Sequence, residues 1–151
     1  MTAPYLETLY LLRQAHRRLI DVVKDGLDRA GVSNVTAAEA LLLHSVASTV
    51  LETGRLRTDG HYHGTNVSYC VKKLVASDLI ERKRSEVDGR KVYNALTDKG
   101  RKIRDLVEAL FAHHARTLAK VADVNLDELG AINRSLKRLD QFWIDQIRYR
   151  L

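Results

Sequence analysis

The stretch KRSEVDGRKVYNALTDKG, Lys83–Gly100, decides how this chain is read. Two runs, LIERKRS and RKVYNALT, alternate like strands on either side of an Asp88-Gly89 turn. Thr97 then stands where a helix cap belongs, with Asp98 in the first turn that follows. A hairpin running straight into a helix needs the turn and the alternation, but not the arginines around its tip. Those arginines point to a polyanion.

The charge distribution over the whole chain agrees. The net charge is +6 over 151 residues. Between Arg55 and Arg104 there are 13 Lys/Arg against 6 Asp/Glu, and elsewhere 12 against 13. The excess positive charge therefore sits in the middle third, which favours nucleic acid as partner over a membrane or an acidic protein. The length suits one domain, and 45% apolar residues suit a globular core. The single cysteine excludes an intrachain disulfide and a Cys-rich zinc module. There is neither a signal-peptide layout nor an apolar run of about 18 residues, so no membrane span is expected. A cytoplasmic location follows as the expectation.

Working outward from the hairpin, NVSYCVKKLVAS upstream reads as a helix after the glycines of DGHYHG. Thr36 and Glu39 have capping-box spacing before AEALLLHSVAS. A short helix is expected over part of LETGRLRTD. At the N-terminus, Leu9, Leu12, His16, Leu19, Val23 and Leu27 form one stripe of a long helix ending near Gly31. Downstream, a helix runs through RKIRDLVEALFAHHARTLAKV. Asn125 and Glu128 cap the last one, whose stripe is Leu129, Ile132, Leu136, Leu139, Trp143 and Ile147. The order α-α-α-α-β-β-α-α is mainly α, a winged helix-turn-helix over 36–100 between long terminal helices at 1–31 and 101–151. The small central module cannot cover the terminal stripes, so a homodimer is expected.

The pattern Asp88-x-Arg90, five residues, Leu96-Thr97, two residues, Gly100 resembles the wing signature of the MarR family of dimeric bacterial transcription regulators. NVSYCVKKLVASDLIERKRS is similar to that family's recognition helix running into the first wing strand. YLETLYLL, HRRL and NVSYCVKKLV look like its LdtR branch. The resemblance covers essentially the whole chain. It implies a sequence-specific regulator of double-stranded DNA, more often a repressor, that binds a pseudo-palindrome and is released by a small aromatic effector. One position departs: the family's glycine before the Leu-Ile pair is Asp78 here, where a left-handed backbone is needed that Asp tolerates better than most residues.

The chemistry can be placed residue by residue. With Val67, Val71 and Leu74 facing the core, Thr65, Asn66, Ser68, Tyr69 and Lys72 lie on or near the outer face of the recognition helix. Asn66 can pair with adenine, the hydroxyls can reach bases or phosphates, and Lys72 and Lys73 suit phosphates. On an ordinary surface helix the same side chains would merely be solvated. Arg90 is expected in or at the edge of the minor groove, Asp88 holding its guanidinium, with Arg84 and Lys91 near the same phosphates.

Other features carry less. His61 and His63 make a weak metal site without a third ligand, so no metal and no cofactor are expected. Tyr62 and His63 can instead reach phosphate. His113 and His114 point about 100° apart on a helix. Cys70 reads as a small buried side chain, with Lys72 and Lys73 near enough to keep redox sensing open as an alternative. His16 and His44 read as partly buried helix residues, and the family resemblance makes them candidate effector contacts. No nucleophile motif or phosphate-binding glycine loop is present, so an enzyme is not expected. The competing class is a sequence-blind nucleic-acid binder. The basic region has only Tyr62, Tyr69 and Tyr93 for stacking, which argues against single strands.

Overall fold

The computed structural model describes residues 1–46, 51, 52 and 65–150, and the side chains of all these except 51, 52 and 65–67. In chain order the elements are α1 (Ala3–Arg29), α2 (Ala37–Val46), β1 (Leu51–Glu52), α3 (Thr65–Ala76), β2 (Ile80–Arg84), β3 (Val92–Leu96), α4 (Asp98–Ala122) and α5 (Leu126–Tyr149). Two compact units emerge, residues 1–110 and 111–151.

In the first unit the core forms around α2. Leu42, Leu43 and Val46 have no solvent exposure, and Ala37 and Ala40 are buried beside them, so this short helix is covered on several faces. Fully burying each leucine is worth about 1.5–3 kcal/mol. Val23 and Leu27 of α1, Val35 just before α2, Val71 and Leu74 of α3, Leu79 and Ile80, Leu96, and Ile103 and Val107 of α4 complete it. The capping box read from the sequence is present: Thr36 Oγ1 accepts the Glu39 N–H at 3.1 Å, and a Glu39 carboxylate oxygen accepts the Thr36 N–H at 3.0 Å.

Helix α1 stops as its sequence foretold. Gly31 has φ 73°, the Gly31 N–H donates to Asp28 O and the Val32 N–H to Leu27 O. This is a Schellman ending, with glycine where a left-handed backbone is required. The end of α3 repeats it with Asp78: φ is 60°, the Asp78 N–H donates to Val75 O, and the Leu79 N–H to Leu74 O at 2.9 Å. Asp78 thus does the work of the family's glycine.

The sheet has the order β1-β3-β2, both pairings antiparallel. Leu51 and Glu52 are strand residues, opposite Asn94 and Tyr93, and the short helix expected over part of LETGRLRTD falls beyond them. The rest of that segment, and His61, Tyr62 and His63, lie outside the described residues. Strand β2 is an edge strand whose Ile80 is buried while Glu81, Arg82, Lys83 and Arg84 are exposed.

The second unit holds the last part of α4 and all of α5. The expected capping box at Asn125 and Glu128 is formed in both directions, at 2.9 and 3.0 Å. No residue of α5 is buried, and Ile132, Leu136, Phe142, Ile144 and Ile147 are exposed. Among the described residues, no helix is long and apolar enough to cross a membrane.

Candidate nucleic-acid interface

Helix α3 shows three differently occupied sides. Val71 and Leu74 enter the core. Tyr69, 70% exposed, and Lys72 lie on an open side, and Ser68 and Cys70 are half-buried. Thr65 and Asn66 lie in the first turn, their side chains outside those described. Lys73 is held: its Nζ lies 2.7 Å from a carboxylate oxygen of Glu39, and this hydrogen bond raises the Lys73 pKa above its ordinary 10.5.

The wing is built differently from a two-residue hairpin. The strands end at Arg84 and resume at Val92, opposite each other, so residues 85–91 form the tip. Gly89 does not take a positive φ, so Asp88-Gly89 is not the mirror-image turn that its sequence suggests. Side chains shape the loop instead. Ser85 Oγ accepts the N–H groups of Val87 and Asp88 at 3.2 and 3.1 Å, and Asp88 Oδ1 accepts the Arg90 N–H at 3.1 Å. The Lys91 N–H donates to Asp88 O and the Ser85 N–H to Lys91 O, both at 3.0 Å. Asp88 therefore orients the backbone of Arg90, and among the described residues no ion pair joins its carboxylate to the guanidinium. Arg84, Asp88, Arg90 and Lys91 are all exposed. Ser85 escaped the sequence reading; its signal was a serine at the loop start, able to accept backbone N–H groups a few residues on.

A tight joint attaches the wing to the helices. The Thr97 hydroxyl donates to Asp78 O at 2.6 Å and accepts the Gly100 N–H at 3.1 Å, and the Thr97 N–H donates to Leu79 O at 3.2 Å. Arg101 donates to Leu96 O at 3.1 Å and pairs with Asp98. Gly100 is buried against the Leu79 backbone, which leaves no room for a side chain. The Leu-Thr-x-x-Gly spacing is thus the sequence trace of a three-way junction between the end of α3, the end of β3 and the start of α4.

Of the candidate effector residues, His16 is exposed on α1. His44 is half-buried, with Nε2 2.6 Å from a Glu108 carboxylate oxygen, linking α2 to α4. Among the described residues, cavities of about 680 and 530 Å³ are lined by other residues. Burial, and then the negative charge of Glu39, push the Cys70 thiol above its ordinary 9.0, against the opposing pull of Lys73. That is the reverse of a reactive thiolate. Among the described residues, no group of three or more His, Cys, Asp or Glu could hold a metal ion. The His113 and His114 rings lie 6.1 Å apart at 55°.

Comparison with known proteins accords with this geometry. Residues 35–100 match the winged helix DNA-binding domain. The chain is 30% identical over 145 residues to the exopolysaccharide II synthesis transcriptional activator ExpG of Rhizobium meliloti, covering 96% of this chain and 74% of that protein. Its fold is similar to Streptococcus pneumoniae FabT in complex with DNA, with TM-score 0.69, 22% identity, and coverage of 93% and 98% of the two chains. It is also similar to AbsC, a MarR family transcriptional regulator from Streptomyces coelicolor, with TM-score 0.71, 16% identity, and coverage of 97% and 98%. These relatives are regulators rather than enzymes. With the wing, the recognition helix and the Asp-x-Arg to Leu-Thr-x-x-Gly spacing all in place, the chain belongs to the MarR family of winged helix transcription regulators.

Proposed function

We propose that this protein is a cytoplasmic homodimer that binds a pseudo-palindromic duplex operator. The supporting observation is the exposed, hydrogen-bonded wing loop beside a helix whose open side carries Tyr69 and Lys72. The two α3 helices enter successive major grooves about 34 Å apart. Thr65, Asn66, Ser68 and Tyr69 read base edges or bind phosphates, and Lys72 takes a phosphate. Arg90 reaches the minor groove, Arg84 and Lys91 lie on its phosphate walls, and Asp88 sets the angle of Arg90 through the loop backbone. The apolar side chains left exposed on α1 (Tyr5, Leu6, Tyr10, Leu11) and along α5 support dimerisation. Monomers at micromolar concentration in analytical ultracentrifugation would refute that part.

The bound dimer represses by occupying sequence that polymerase needs, and the same binding activates where the site lies beside the promoter, in keeping with the activator role named for ExpG. A small aromatic effector releases the DNA by changing the half-site spacing of the two modules, with His16 and His44 as its candidate contacts. The LdtR-like placement rests on three short sequence motifs.

Selection from a random duplex library at near-physiological salt, run beside Arg90→Ala, tests the reading. Enrichment of a palindrome with half-sites one turn apart supports it. Arg90→Ala should leave the fold intact, weaken binding, and reduce the salt slope by about one per site lost. Strong binding without enrichment, equal on single strands, would leave only a sequence-blind electrostatic surface.

A further inference from the structure

Lys72 and Lys73 are adjacent in sequence but differently engaged. Lys72 is exposed and makes no ion pair among the described residues. Lys73, its side chain still 46% exposed, borders the cavity of about 530 Å³ shared with Ile20 and Lys24 of α1 and Val32 of the loop before α2. There it meets Glu39, which is only 4% exposed. Both oxygens of that carboxylate are used: one accepts the Thr36 N–H at 3.0 Å, and the other holds the Lys73 ammonium at 2.7 Å. A carboxylate so deeply buried needs its charge matched, and Lys73 is the cation that matches it.

We infer that Lys73 is a positioning residue rather than a phosphate contact: with Glu39 it fixes the rotation of the recognition helix about its own axis. This rests on the reading of α3 as the helix that enters the groove. The apolar contacts of Val71 and Leu74 are non-directional and tolerate a small roll of the helix, whereas a charge-assisted hydrogen bond to a capped, buried carboxylate does not. A roll of about 20° at a side-chain radius of about 5–6 Å carries an outer atom about 2 Å. That is enough to break a short, directional hydrogen bond to a base edge, while the Coulomb attraction of an ammonium for a phosphate falls off only slowly with distance. The Glu39–Lys73 pair therefore governs discrimination between sequences, and Lys72 governs electrostatic affinity.

The test measures binding of the full-length protein to its selected operator and to a scrambled duplex over a range of salt, well below the melting temperature. Lys73→Met and Glu39→Gln, the latter keeping an oxygen for the Thr36 N–H, should each lower the operator-to-scrambled affinity ratio about tenfold with the salt slope unchanged. Lys73→Arg should keep the ratio. The double variant, which buries no unmatched charge and so protects the fold if either single variant fails, should lose no more than one of them. Lys72→Met should instead reduce the slope by about one on both duplexes. A slope reduced by one in Lys73→Met, with operator and scrambled duplex weakened equally, would restore Lys73 to a phosphate. A lowered melting temperature with an unchanged ratio would make the pair merely structural and overturn the inference. A parent protein that shows no discrimination at all would instead remove the reading of α3 as a sequence reader, and this inference with it.

Discussion

Replacing Gly100 with alanine probes the junction between α3, β3 and α4. A methyl carbon at that position would fall well inside the van der Waals radius of Leu79 O, 3.1 Å from the Leu79 carbonyl carbon and 3.5 Å from its Cα. All three are backbone atoms, so no rotamer change relieves the clash, and the start of α4 must move by about 1 Å to reach ordinary contact distances. Overpacking of this kind costs about 1–3 kcal/mol. The shift also strains the Thr97 hydrogen bonds to Leu79 O and Asp78 O, a further loss of about 1 kcal/mol. Alanine's better helix propensity returns about 1 kcal/mol. The net is about 2 kcal/mol, a fall in melting temperature of about 4–8 °C for a chain of this size. Gly130→Ala is the control, since its nearest neighbour is the mobile end of Arg134 at 3.5 Å and its helix should gain up to about 1 kcal/mol. Thermal melts followed by circular dichroism compare the two. If Gly100→Ala melted at or above the parent, the junction would not be closely packed, and the account of the Leu-Thr-x-x-Gly spacing would fail.

Three further outcomes are expected. Asp78→Gly should stabilise the protein by about 0.5–1 kcal/mol in denaturant titration, by relieving the left-handed backbone at the end of α3; a loss of stability would show that the Asp78 side chain contributes more than its backbone costs. Asp88→Asn keeps an oxygen for the Arg90 N–H and should retain most DNA affinity, whereas Asp88→Ala should lose affinity despite a more positive wing; tighter binding by the alanine variant would mean that charge alone governs the wing. Because the Cys70 pKa is raised, the unfolded chain gives up this proton first, so stability should fall as pH climbs past about 9. The Lys73 contribution, fully present below its ordinary 10.5, is lost at still higher pH as the raised folded value is crossed. Denaturation midpoints from pH 7 to 11 should show this decline, with Cys70→Ser flattening its first part, and thiol reagents should react slowly with the native protein at neutral pH.

Features governed by local chemistry were legible in the sequence. The Gly31 stop, the capping boxes at Thr36 and Asn125, the Thr97 cap and the left-handed Asp78 each depend on residues within about one helical turn. Sequence reading failed where partners lie far apart. Lys73 meets Glu39 across 34 positions and His44 meets Glu108 across 64, and nothing in either neighbourhood names the other. Strand β1 was hidden because two residues have no period of their own and are strand only by virtue of β3. The wing was half legible. Its position and charge were evident, but Ser85 and Asp88 accept backbone N–H groups that the familiar Asp-Gly turn would have satisfied differently.

The exposed row from Glu81 to Arg84 has a consequence apart from DNA. Among the described residues, strand β2 closes its sheet on one side with no further strand beyond it, and an open edge of that kind invites pairing with any extended chain it meets. Here the edge carries one acidic and three basic side chains in succession, all in solvent. A second copy approaching edge to edge would bring like charges together before its backbone hydrogen bonds could form. The charge proposed to meet a polyanion should thus also disfavour pairing of this edge with a second copy of itself.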